Sequence, residues 1–166
     1  MKPFSVLFVC ARNAGLSIMA EAYLNHLALP GVMAFSAGLD PAERVDPRAL
    51  TALSAAGIET DRLEPKPVEL FTFEHAPRPD VVVELGSGPL GTAPLWHHPA
   101  RRLSWRMGDP LTISARASFA EAYDSLCQRI DRAMARVPAG RALLVPRRGL
   151  PLARRRFGPL LPALAG

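Results

Sequence analysis

Phe4-Ser5-Val6-Leu7-Phe8-Val9-Cys10-Ala11-Arg12-Asn13-Ala14-Gly15-Leu16-Ser17-Ile18-Met19-Ala20-Glu21-Ala22 is the stretch that decides the fold. Its first six residues are apolar, aromatic and β-branched, the pattern of a strand covered on both faces, so it belongs near the centre of a sheet. From Ser17 the pattern changes: Ile18, Met19, Ala22, Tyr23, Leu24 and Leu27 recur at helical spacing among good helix formers, and Pro30-Gly31 is read as the stop. Between strand and helix lies a short polar turn, Ala11 to Gly15. In open α/β sheets ligands bind at the carboxyl ends of strands. Amides of such a turn and of the first helical turn face one point, where the helix dipole adds positive potential. An oxyanion fits there, and Cys10 beside it is placed to act as a nucleophile.

Outward from this unit, strands and helices alternate. A short strand around Val32 to Phe35 leads into Ser36-Ala37-Gly38, and Asp46-Pro47 opens a second helix, aspartate as cap and proline at its first position. Pro65 to Phe71 holds one short helical segment. Val81 to Leu85 reads as a buried strand whose one charge, Glu84, calls for an exposed end, and Arg102 to Trp105 as a weaker strand. Phe119 to Val137 gives the longest helix, with Phe119, Tyr123, Leu126, Cys127, Ile130 and Met134 on one stripe. The expected fold is α/β in three layers: a small, about four-stranded parallel sheet with helices on both faces.

The chain has 166 residues, 49% hydrophobic, enough for one domain with a sizeable core. Its net charge of +5 divides unevenly. Residues 1–140 hold 14 Lys/Arg against all 15 Asp/Glu, whereas residues 141–166 hold six arginines and no acid. The expected organisation is therefore a body over 1–139 and a basic, Pro/Arg-rich tail over 140–166. Four prolines in that tail suppress regular structure. The near-neutral body offers no nucleic-acid footprint; only the tail leaves that partner open. No stretch is long enough to span a bilayer, so no membrane partner is expected. Two cysteines, Cys10 and Cys127, make no disulfide framework, and a reducing, cytoplasmic setting follows.

The local string Cys10-Ala11-Arg12-Asn13-Ala14-Gly15-Leu16-Ser17 with Met19-Ala20-Glu21 resembles the start of the low-molecular-weight tyrosine phosphatases and arsenate reductases, where Cys-x-x-Asn-x-x-Arg-Ser enters a helix. The likeness continues through Ser36-Ala37-Gly38, Asp46-Pro47-Arg48-Ala49, Asp80 to Leu85, and Trp105 followed by Asp109-Pro110. It covers about residues 4 to 137. The resemblance implies Cys10 as nucleophile, Ser17 as the hydroxyl that steadies its thiolate, Asn13 as the holder of an unusual backbone turn, and Asp109 as general acid. It implies that Ala11, Arg12, Asn13, Ala14, Gly15, Leu16 and Ser17 cradle phosphate or a similar oxyanion, carried on a small ester or a phosphorylated protein.

Position 16 departs from that pattern. The family's arginine offers a planar fork to two oxygens and follows the charge into the transition state; Leu16 donates nothing. Two reading classes follow: a cysteine-dependent phosphatase or arsenate reductase with weakened or altered activity, and a pseudophosphatase that binds an oxyanion or a partner. Arg12 is the candidate to substitute for the lost fork, a solvent-facing Arg12 the simpler alternative. Thioredoxin-coupled reductases place further cysteines where Gly86-Ser87-Gly88-Pro89 stands here, and Cys127 reads as a packed core residue. Leu111 replaces the tyrosine that commonly follows Asp-Pro in tyrosine-specific members. Gly86 to Gly91 matches G-x-G-x-x-G by accident, since Pro89, Pro94 and Pro99 break the helix that motif needs. His97-His98 lacks partners at ligand spacing, so no metal is implied, nor any cofactor.

Overall fold

The structure, a computed structural model, describes residues 2–86, 100–108, 110–111 and 118–137. Strand β1 spans Phe4–Cys10, helix α1 Leu16–His26, β2 Val32–Gly38, α2 Pro47–Ala55, a 3-10 helix Val68–Thr72, β3 Val81–Gly86, β4 Arg101–Arg106 and α3 Phe119–Met134. The four strands form one parallel sheet in the order β2-β1-β3-β4. β1 is central, as its unbroken apolar run requires, and all its residues from Ser5 to Cys10 are buried. The chain goes to one side of β1 for β2 and to the other for β3, so the sheet's switch point lies at the carboxyl end of β1, where Cys10 is its last residue.

The pleat divides β1 between two cores. Val6, Phe8 and Cys10 face the layer of α1, α2 and α3, packed with Leu16, Ile18, Met19, Leu53, Leu126 and Ile130. Leu7 and Val9 face the 3-10 helix through Val68 and Phe71. Each large side chain so buried contributes about 1.5–3 kcal/mol.

Local chemistry sets the ends of the elements. Asp46 caps α2 by accepting from the Arg48 N–H, with Pro47 at the first helical position. Ser118 and Glu121 form a capping box on α3. The stop of α1 comes earlier than Pro30-Gly31: the helix ends at His26, and Ala28 turns into the left-handed region at φ 47°. Past that turn, Asn25 brackets Ala34, donating to its carbonyl at 3.0 Å and accepting from its N–H at 2.9 Å, which ties the helix end to β2.

Glu84 does not sit at an exposed strand end. It lies inside β3, with its side chain 14% exposed, and pairs with Arg102 on the adjacent β4. Cys127 is likewise not a core residue. It is half-buried beside Tyr23 and Tyr123, whose rings meet edge to face at 5.9 Å. Burial pushes the Cys127 thiol up to about 12. Both tyrosines are raised as well, first by burial and then, for Tyr23, by its 2.8 Å hydrogen bond to Asp131. Among the described residues no helix is long and apolar enough to cross a membrane. The tail 140–166, His97-His98 and Ser87 to Gly91 lie outside the described residues.

Candidate active site

β1 delivers Cys10 to the switch point, and the turn after it brings the sequence-derived set together. Cys10 Sγ lies 2.9 Å from Ser17 Oγ and accepts from the Asn13 N–H at 3.2 Å. Asn13 adopts φ 47°, a left-handed conformation that asparagine tolerates better than most side chains. Its side-chain amide then points inward, fully buried. Asn13 Nδ2 donates to Ser17 Oγ at 2.7 Å, and Oδ1 accepts from the Lys66 N–H at 2.7 Å. One asparagine thus joins the Cys10 sulfur, the helix start and the segment before the 3-10 helix.

The carbonyls of the loop are turned away and tied. Cys10, Ala11, Arg12 and Ala14 accept from the N–H groups of Leu39, Asp40, Ala42 and Asp46 at 2.9–3.2 Å. Among the described residues the amides of Arg12, Ala14, Gly15, Leu16 and Ser17 have no acceptor. Separating bound carbonyls from unused N–H groups is what an anion cradle needs, since only donors remain for the ligand. Gly38 permits the close approach: a Cβ there would stand 2.9 Å from Asn13 Cβ and 3.1 Å from the Ala11 oxygen.

A second layer supports the loop. Glu21 on α1 accepts from the Ser36 hydroxyl and from Lys66 Nζ, the latter at 3.3 Å. Lys66 also accepts from the Gly38 N–H through its carbonyl at 2.8 Å. Glu21 was legible only as a motif match; its role as the carboxylate anchoring Ser36 and Lys66 depends on contacts across 15 and 45 residues.

Other members of the predicted set fall elsewhere. Leu16 is fully buried and packs into the helical core, so its side chain contributes nothing polar. Arg12 is turned outward onto Asp40 at 2.5 Å, with side chains 51% and 81% exposed. Ala11 is exposed, and Ala14 and Gly15 are buried. Asp109 lies outside the described residues. Its neighbour Leu111 packs at Gly15, where an added Cβ would meet Leu111 at 3.5 Å and Phe119 at 3.2 Å. Arg48, missed in the sequence, stacks over the Phe119 ring at 4.9 Å and holds the Asp46 carboxyl below the usual carboxylate range.

A parallel sheet whose switch point carries a buried cysteine, a loop of unused amides and a helix start defines an α/β protein with a cysteine at the carboxyl end of its central strand. The sequence matches the family of low molecular weight phosphotyrosine protein phosphatases over residues 5–142, and the chain belongs to that family. A glutaredoxin arsenate reductase from Synechocystis sp. is 30% identical over 105 residues, covering 63% of this chain and 77% of the relative. Among solved structures, the thioredoxin-dependent arsenate reductase of Corynebacterium glutamicum superposes with a TM-score of 0.63 at 28% identity over 80% of this chain. The match spans only 61% of that longer chain. The arginine phosphatase YwlE of Geobacillus stearothermophilus gives a TM-score of 0.60 at 25% identity, covering 80% of this chain and 92% of the other.

Proposed function

We propose that this chain is a cysteine-dependent enzyme acting on a phosphate ester or a related oxyanion, with turnover well below that of an arginine-bearing relative. One observation carries the reading: Cys10 Sγ keeps both of its hydrogen-bond partners, Ser17 Oγ at 2.9 Å and the Asn13 N–H at 3.2 Å. The Asn13 N–H donates to the sulfur, and Ser17 Oγ, which accepts from Asn13 Nδ2, has its own proton free for it; the thiolate is the form that attacks. Attack on phosphorus forms an S–P bond and breaks the P–O ester bond. The leaving oxygen takes a proton, the role assigned to Asp109, and water then hydrolyses the phosphocysteine.

The missing fork sets the scale of the loss. Each charge-assisted hydrogen bond is worth about 1.5–3 kcal/mol, and because the two bonds of one fork are not fully additive a lost bidentate pair costs about 3–5 kcal/mol in the transition state. That is a reduction of about a hundred- to several-thousand-fold in rate. Arg12 is the internal candidate to recover part of it. Its ion pair with Asp40 is exposed on both sides, and such pairs hold by about 1 kcal/mol or less, so release toward a ligand is cheap.

Arsenate reduction through a relay of protein thiols is less well supported. Cys127 sits on α3 with its thiol raised to about 12, a poor thiolate source at neutral pH. Coupling to glutaredoxin or a small thiol fits the residues better. Either route needs Cys10 reduced, hence a reducing compartment such as the cytoplasm.

The burial of Leu16 favours a second reading, a pseudophosphatase that binds an oxyanion or a phosphorylated partner without turnover. Hydrolysis of a generic aryl phosphate against a Cys10→Ser control separates the two. Turnover above the control supports the enzyme; none, with phosphate still raising the melting temperature, supports the binder. Arg12→Ala abolishing turnover and Leu16→Arg restoring it would assign the rescue; an unchanged rate in Arg12→Ala excludes it.

A further inference from the structure

Around the cradle the described residues bring balanced charge, the cations Arg12, Arg44, Arg48 and Lys66 against the carboxylates Glu21, Asp40, Glu43 and Asp46. Among the described residues Arg12 is paired with Asp40, Arg48 with Asp46, and Lys66 with Glu21. Arg44, on the segment between Asp40 and Asp46, is exposed beside Glu43 and makes no ion pair among the described residues. Leu16 puts an apolar, fully buried side chain where the family carries a cation. The cradle therefore offers neutral amides and a helix start, and no net charge of its own, to a ligand that must come up against the Cys10 sulfur. Backbone amides solvate an oxyanion well, but among the described residues a second full charge on the same small ligand meets a cation only at the expense of the Arg12–Asp40 pair, which leaves Asp40 uncompensated beside it.

We infer that this cradle selects singly charged tetrahedral oxyanions, the monoanionic forms of phosphate, phosphate esters and arsenate, over the doubly charged forms. The inference rests on the oxyanion reading above and names its substrate class. A phosphate ester loses its second proton at a pKa of about 6. The ligand's own ionisation thus gates the site, and binding weakens as pH rises through that range. The loop is also faced by charged groups of the protein itself. They are the carboxylates Asp40, Asp46 and Glu21, each facing a cation, and the arginines and lysine paired with them. Asp109 belongs to the neighbouring Asp-Pro segment, and ligands of fixed charge report any titration of its carboxyl.

The test uses the full chain as Cys10→Ser, which removes the thiolate, and measures dissociation constants by calorimetry from pH 5 to 8. Three probes are compared: inorganic phosphate, sulfate as a dianion at every pH, and methyl sulfate as a monoanion at every pH. Phosphate is expected to bind several-fold tighter at pH 5 than at pH 8, the most that its own second ionisation, later than an ester's, allows, and methyl sulfate tighter than sulfate throughout. Adding Leu16→Arg should reverse the order, sulfate gaining at least tenfold. Sulfate binding as well as methyl sulfate in the leucine protein, or phosphate affinity that is flat or rises with pH, overturns the inference and leaves the oxyanion reading standing. If none of the three anions binds at any pH, the oxyanion reading itself fails, and charge selection with it.

Discussion

Asn13→Ala tests whether the loop is held as described. The side chain makes two buried or part-buried hydrogen bonds, to Ser17 Oγ and from the Lys66 N–H, both at 2.7 Å. Each is worth about 1 kcal/mol net. Alanine must also occupy φ 47°, which costs a further ~1 kcal/mol for a residue with a Cβ and no local polar compensation. The expected loss is about 3 kcal/mol, a large fraction of the 5–15 kcal/mol that is usual for a domain. Urea unfolding with linear extrapolation measures it, at constant m-value. Asn13→Gly separates the terms, because glycine accepts the left-handed conformation while losing the same two hydrogen bonds. It should be at least as stable as Asn13→Ala. A loss below about 1 kcal/mol in Asn13→Ala, or a glycine variant clearly less stable than the alanine one, would refute this account of the loop.

Two further outcomes follow from other contacts. Gly38→Ala places a Cβ 2.9 Å from Asn13 Cβ and 3.0 Å from Asn13 N, neither of which can swing aside, so the loop must move. Overpacking of this kind costs about 1–3 kcal/mol, and phosphate protection in a thermal melt should fall with it. At alkaline pH the protein should lose stability from about pH 9 upward. The Cys127 thiol is raised from 9.0 to about 12, and Tyr23 and Tyr123 are raised from 10.0. The unfolded chain releases these protons first, so unfolding is favoured as pH climbs through that window. Cys127→Ala should flatten the onset of the decline, measured by urea midpoints between pH 8 and 11; an unaltered profile would show that the thiol does not contribute.

How far the sequence could be read depended on the range of the interactions. β1, the polar turn and the Asp46-Pro47 helix start were legible because each is fixed by residues within a few positions of one another. Cys10, Asn13 and Ser17 were grouped by the resemblance of their string to a family pattern, and the three lie within hydrogen-bond reach of one another. Glu84 was misread because its partner is chosen by register: Arg102 lies on the same side of the neighbouring parallel strand, 18 residues on. Cys127 fitted the apolar stripe of α3, but what surrounds it comes partly from α1, about a hundred residues earlier. Ala28, ordinarily a helix former, carries no sequence signal that it turns left-handed and ends α1. The stitching of the loop carbonyls to residues 39–46 uses backbone N–H groups alone, and so leaves no trace in side-chain type.

The complete burial of Leu16 bears on how such a chain changes over generations. An arginine at that position would bring a charge to the ligand and take a well-packed leucine from the core, a loss of about 1.5–3 kcal/mol if nothing else fills the space. Packing and ligand charge then pull one codon in opposite directions. Because the loop's shape is fixed by backbone contacts that do not involve residue 16, the leucine can arise without unmaking the cradle. The step is also reversible: the contacts that tie the loop carbonyls to residues 39–46 do not use residue 16, so a single substitution there exchanges packing in the core for charge at the loop and leaves that frame in place.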